Sequence, residues 1–107
     1  MEAKTVHTAE MPWADLTDFP GKGQVKVLRD EGGAGARTLL IRIHPDNDVT
    51  PHAHEATVQH YVLEGEYESE NRIYAAGTHR LLPPHTNVGA ITTQNGATVL
   101  LVYDPVR

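Results

Sequence analysis

The chain has 107 residues, no cysteine, and 9 basic against 14 acidic side chains for a formal charge of −5. A single domain is expected from that length; disulfides, thiolate metal sites, cysteine nucleophiles and iron–sulfur clusters are excluded, and with no Lys/Arg cluster a phosphate backbone would meet net repulsion. The first twenty residues carry Glu2, Glu10, Asp15 and Asp18 without the apolar core of a secretory signal, and no apolar run nears the roughly 20 residues that span a bilayer, so a soluble, cytoplasmic protein with no nucleic-acid or membrane partner is expected.

Residues 1–20 read as an N-terminal arm and 21–107 as one β domain. The arm is punctuated by Pro12 and Pro20 and holds the single Trp13, which reads either as a packing residue over the core or as an anchor at a subunit contact. Beyond it, short β-rich runs alternate with turn signals every 8 to 12 residues or so. The runs are Gln24–Leu28, Arg37–Ile43, Val58–Leu63, Arg72–Tyr74, His79–Leu82, Val88–Thr93 and Ala97–Tyr103. Their separators are turn chemistry: Asp30 to Gly35, Pro45 to Asp48, Gly65, Ala76-Gly77, Pro83-Pro84 and Asn95-Gly96, the last a strong hairpin signal. No stretch keeps a helical apolar period, so an all-β sandwich or barrel is predicted. The partly continuous apolar runs Thr38–Ile43 and Thr98–Tyr103 suit strands covered on both faces, and these strands together with the N-terminal arm need a cover, which points to a homodimer.

Seven histidines stand in the chain, and four of them, His52, His54, His60 and His85, fall near two strand ends. Residues i and i+2 of a strand share a face, so the His-x-His of Pro51-His52-Ala53-His54 sets two imidazoles side by side within reach of one ion. Neutral imidazole is the commonest metal ligand, and two supply half of a four-ligand shell. Two surface or hydrogen-bonded histidines are the alternative. His79 and His7 read as packed or surface residues.

The text around that pair, from Thr50-Pro-His-Ala-His-Glu to Tyr61-Val62-Leu63-Glu64-Gly65-Glu66, resembles the first motif of the cupin superfamily. Ala76-Gly77-Thr78-His79-Arg80-Leu81-Leu82-Pro83-Pro84 is similar to the second, and together the likeness covers about residues 37 to 103. The resemblance implies a double-stranded β-helix, or jelly-roll barrel, with a divalent metal at its mouth. It also implies a carboxylate ligand at Val58, counting back from Gly65, and a last histidine ligand at Val88, counting on from Pro83. Both positions are apolar here. Replacements are at hand: Gln59 takes the carboxylate position under a longer spacing, His60 shares a face with Val58, and His85 lies three residues before Val88. Gln59 should point away from the face of Val58 and needs a bulge or twist to reach an ion.

The expected metal set is therefore His52, His54, Gln59 and His85, with His60, Val58 and Val88 as pocket or alternative positions. A nitrogen and oxygen shell suits iron, manganese, nickel, zinc or copper alike. The resemblance implies a metal-dependent dioxygenase or isomerase acting on a small polar carbonyl or sugar-acid compound. The alternative is a non-catalytic module that binds or senses a small molecule, with or without metal. It rests on the likeness of Tyr74-Ala75-Ala76-Gly77-Thr78 and the proline pair to cupin domains attached to anti-sigma factors.

Overall fold

The computed structural model describes residues 2–16, 23–45, 49 and 55–106. Seven antiparallel strands are present among them: β1 (Ala14–Asp15), β2 (Gly23–Asp30), β3 (Arg37–Ile43), β4 (Val58–Ser69), β5 (Arg72–Ala75), β6 (His79–Leu82) and β7 (Ala97–Tyr103). They are hydrogen-bonded in the order β1-β2-β3-β7-β4-β5, with β6 on the other edge of β4. The all-β, jelly-roll expectation from the sequence holds. Leu39, Ile41 and Ile43 of β3 face Val99, Leu101 and Tyr103 of β7 and Val58 and Val62 of β4 in one core. The cause is alternation: β7 is buried at every second residue from Ala97 to Tyr103, which puts its apolar odd positions inside.

β4 carries the geometry on which the interior depends. Val58, His60 and Val62 are buried while Gln59, Tyr61 and Leu63 face outward. A register shift against β7 between Val62 and Glu64 then breaks the count, and farther along Tyr67 and Ser69 are the buried residues. One bulge has changed the inward positions from even to odd, as an inserted residue must. Gly65 sits at the break. There β4 leaves its pairing with β7 and turns to pair with β5 from Glu66 onward.

Two sequence expectations need correction. Gly65 is no hairpin end; the strand runs through it, and the turn lies at Glu70-Asn71, both at positive φ, closing the Ser69–Arg72 pair. Val88–Thr93 is no continuous strand, because it pairs only singly, Ile91 with Val49 and Thr92 with Glu68. Asn95-Gly96 accordingly links no hairpin but marks the corner where the chain passes from β4's far end, at Glu68, into β7.

The N-terminal segment lies on the outside of the β2–β3 end. β1 pairs with β2, Lys26 Nζ donates to the Thr8 carbonyl at 2.6 Å, and the half-buried Trp13 ring lies 4.5 Å from that ammonium and 4.4 Å from the Arg42 guanidinium. Trp13 thus packs within its own chain over two cations. No helix among the described residues is long and apolar enough to cross a membrane.

A Cβ on Gly65, at φ +71°, would stand 1.9 Å from the Gly96 carbonyl oxygen, whereas one on Gly77, at φ +91°, would meet nothing within 4 Å. Gly77→Ala should cost only the left-handed strain of about 1–2 kcal/mol. Gly65→Ala should cost more than about 3 kcal/mol, since backbone must move to admit it. Urea unfolding of both variants checks this, and equal losses would contradict the close approach at Gly65.

Candidate cavity and its polar end

Between the core strands lies a narrow cavity, with about 520 Å³ of non-atom space when the solvent at its mouth is counted but only about 20 Å³ of room for the centres of water-sized molecules. Ile41, Ile43, Val49, Val58, Val88, Ile91, Val99 and Leu101 make its walls, and Thr86 and Pro83 stand with Leu82 among the lining residues. Val58 and Val88, where the cupin resemblance implies a carboxylate and a histidine ligand, both line it as hydrocarbon. Among the described residues, the polar groups against this cavity are few: His60, Tyr67, Tyr103 and Thr86.

His60 and Tyr67 meet. His60 Nδ1 lies 3.0 Å from the Tyr67 hydroxyl, and Arg80 Nη1 donates to the same oxygen at 3.0 Å. The first contact exists because the bulge turns Tyr67 to the face of His60. The second exists because Arg80 pairs across from His60 on β6. The Arg80 guanidinium also stacks over Tyr74 at 4.1 Å, and Tyr74 packs on Tyr67 at 5.3 Å between ring centroids. Each ring therefore limits the freedom of the next, so the hydroxyl is held in place. Burial pushes the Tyr67 phenol above its ordinary value of 10.0; the hydrogen bond and charge of Arg80 oppose that shift and Tyr74 adds to it slightly.

The site residues expected from sequence are spread apart. Gln59 is on the outer face of β4, where its Oε1 lies 3.0 Å from His79 Nε2, and it does not line the cavity. His85 is exposed in the Pro83–Thr86 turn at φ +63° and does not line the cavity either. His52 and His54 lie outside the described residues. Among the described residues no three of His, Cys, Asp and Glu come together as a metal shell. The described donors therefore do not fit the family's metal: one histidine faces the cavity, and two positions that should add ligands add methyl groups. Tyr67 and Arg80 were not singled out by sequence reasoning. Gly65 inside a β run was the available signal, since an isolated glycine in a strand marks a bulge.

Comparison with known proteins follows the same lines. Residues 1–107 match the ChrR cupin-like domain family. The chain belongs to that family. Among solved structures, KdgF from Halomonas sp. superposes with a TM-score of 0.79 at 22% identity, over 99% of this chain and 96% of that one. The polyketide cyclase RemF from Streptomyces resistomycificus gives 0.82 at 20%, over 99% and 81%. The complex of Rhodobacter sphaeroides SigE with the anti-sigma ChrR gives 0.72 at 19%, and there this chain spans 92% of itself but about half, 52%, of the matched chain. At these identities the likeness is one of fold. No curated protein matches the chain.

The raised Tyr67 pKa sets a sign. Its contribution is fully present below the ordinary phenol value of 10.0 and is lost as pH rises from there through the higher folded value, because the unfolded chain gives up the proton first. Melting temperature followed from pH 8 to 11 should fall more steeply in the wild type than in Tyr67→Phe. The variant should itself lose about 1–3 kcal/mol at neutral pH, because the buried His60 nitrogen is left without its partner. Parallel curves for the two proteins would argue against a proton held on Tyr67.

Proposed function

We propose that this chain is a small-molecule-binding cupin domain whose cavity takes a mostly apolar compound oriented by one polar contact at the His60–Tyr67 end. The observation that carries the proposal is the lining. Val58 and Val88 stand at the two ligand positions implied by the resemblance and join Ile41, Ile43, Ile91 and Leu101 in an apolar wall. Such a pocket gives affinity through burial of hydrocarbon and orientation through a few fixed polar groups. RemF, a polyketide cyclase, and the ChrR of the SigE complex show that this fold serves both enzymes and regulators, so the fold alone chooses neither.

A second reading is favoured by one feature, the His52-x-His54 pair: a divalent metal held by these two imidazoles and serving a dioxygenase- or isomerase-like reaction. The two readings separate by experiment. Untagged protein loaded with iron, manganese, nickel, zinc or copper and then dialysed should keep less than about 0.2 ion per chain under the first reading, whereas a preformed shell refills. Acetophenone, a flat apolar ketone, should bind in calorimetry. The half-buried Val88→Phe variant should abolish that binding while keeping the β-sheet circular dichroism. Stoichiometric metal would restore the enzyme reading, and unchanged binding by Val88→Phe would remove the cavity from the proposal.

The homodimer expected from sequence is part of the same proposal. Tyr61, Leu63 and Leu81 are 40%, 43% and 60% exposed on the outer face of β4 and β6, an apolar stretch that a second copy would cover. Light scattering should give a dimer for the wild type and a monomer for Leu81→Asp. A wild-type monomer at high concentration would remove this part.

A further inference from the structure

We infer that residues 83–90 form a lid over the cavity mouth, latched at Gly89 by Ser69 and Glu70, and that a ligand enters when this latch opens. Room is the first observation. The interior leaves about 20 Å³ for the centres of water-sized molecules, roughly what a single water needs, so a larger compound requires a wall to move. Burial shows which wall. Of the described residues that line the cavity, Leu82, Pro83, Thr86 and Val88 are half-buried or exposed, whereas every other one is buried. The stretch that separates the cavity from water is therefore the one that follows β6.

Hydrogen bonding shows how little holds that stretch. Pro83 to Thr86 is a closed turn, with His85 at φ +63° and the Pro83 carbonyl accepting from Thr86 Oγ1 at 2.7 Å and from the Thr86 amide at 3.3 Å. Those bonds stay inside the segment. Among the described residues, the hydrogen bonds that tie 83–90 to the rest of the protein are the two at Gly89, whose amide donates to Glu70 Oε1 and whose carbonyl accepts from Ser69 Oγ, each at 3.2 Å. The strands beneath are held by continuous ladders instead. Segments with few bonds and partly exposed side chains open at the lowest cost, so this one opens before the barrel does. Ser69, 2% exposed, points inward because the bulge has reversed the parity of β4, while Glu70, in the turn that follows at φ +53°, is exposed. One half of the latch is fixed in the core and the other stands in water. Glycine suits position 89, since a Cβ there would stand 2.9 Å from Glu70 Cγ. The passage of a ligand rests on the cavity reading proposed above, and the opening itself does not.

The chain has no cysteine, so Val58→Cys places a single thiol under the lid, at a cavity-lining position paired with Leu82, and labelling by N-ethylmaleimide at pH 7 reads the opening. Adding Glu70→Ala, which removes the exposed half of the latch, should speed labelling roughly 3- to 10-fold, the factor of one hydrogen bond. Adding Gly77→Ala instead, which weakens the fold away from the latch, should change the rate by less than about twofold, because local opening does not require global unfolding. Equal labelling with and without Glu70→Ala, or an equal gain from Gly77→Ala, overturns the lid. Acetophenone gives a second measurement with no thiol added. Its association and dissociation rates, from NMR line shapes, should both rise roughly 3- to 10-fold in Glu70→Ala while Kd stays within about twofold, since a gate changes the path and not the end states. Unchanged rates overturn the lid as the route of entry while leaving the cavity reading intact. Binding of acetophenone to neither protein overturns the cavity reading, and the labelling rates still decide the lid.

Discussion

A phenol hydroxyl with no access to water has to find its partners inside the protein, and much of this structure is arranged around that need. Tyr67 is reached by Arg80 from β6 and by His60 from the same strand seven residues earlier. Two residues seven apart on an unbroken strand point to opposite faces. They meet here because the bulge beside Gly65 has reversed the parity of β4 between them. The close approach of Gly65 to Gly96, the buried hydroxyl and the placement of Arg80 are thus parts of one constraint: the barrel can bend at this point only with a residue lacking Cβ, and the bend is what brings the polar end of the cavity together.

The same cavity bears on metal chemistry through charge. A divalent ion held by neutral imidazoles keeps its full charge, and a carboxylate among the ligands would reduce it. At Val58 that carboxylate position is hydrocarbon buried to 4% exposure. Surroundings of Ile, Val and Leu cannot solvate an uncompensated cation, and the cost of placing one there is large. An ion on His52 and His54 would need water or an anionic ligand for its remaining positions.

Alternation made much of the fold legible. Arg37–Ile43, His79–Leu82 and Ala97–Tyr103 were readable to the residue, because apolar and β-branched runs are bounded there by turn residues. Two segments misled for opposite reasons. Gly65 has turn chemistry, yet tertiary pairing carries β4 through it to Ser69; Val88–Thr93 has β-branched residues, yet lacks a neighbour to pair with continuously. The outward direction of Gln59 and the shared face of His60 and Val58 were also readable, since both lie before the bulge. Tyr67 was not. Its face depends on where the count breaks, and that break is set by the packing of Gly65 against Gly96, a contact 31 positions apart in the chain. His52 and His54, the strongest signal in the sequence, lie outside the described residues, and the weight of the functional reading passes to the side chains that line the cavity.

Hydrocarbon walls and one relay divide the work of recognition unequally. Burial of apolar area is non-directional and rewards any compound that fits, so the walls alone would discriminate weakly between molecules of similar shape. A polar group held in place by packing acts differently, because a compound that cannot match it loses a hydrogen bond, and the loss falls on the wrong ligand without adding much to the right one. The rigidity of the relay matters for this asymmetry. Arg80 stacks on Tyr74 and Tyr74 packs on Tyr67, so the hydroxyl cannot easily swing to relieve the mismatch, and selectivity in this cavity depends on the aromatic packing behind His60 as well as on the ring that lines the cavity.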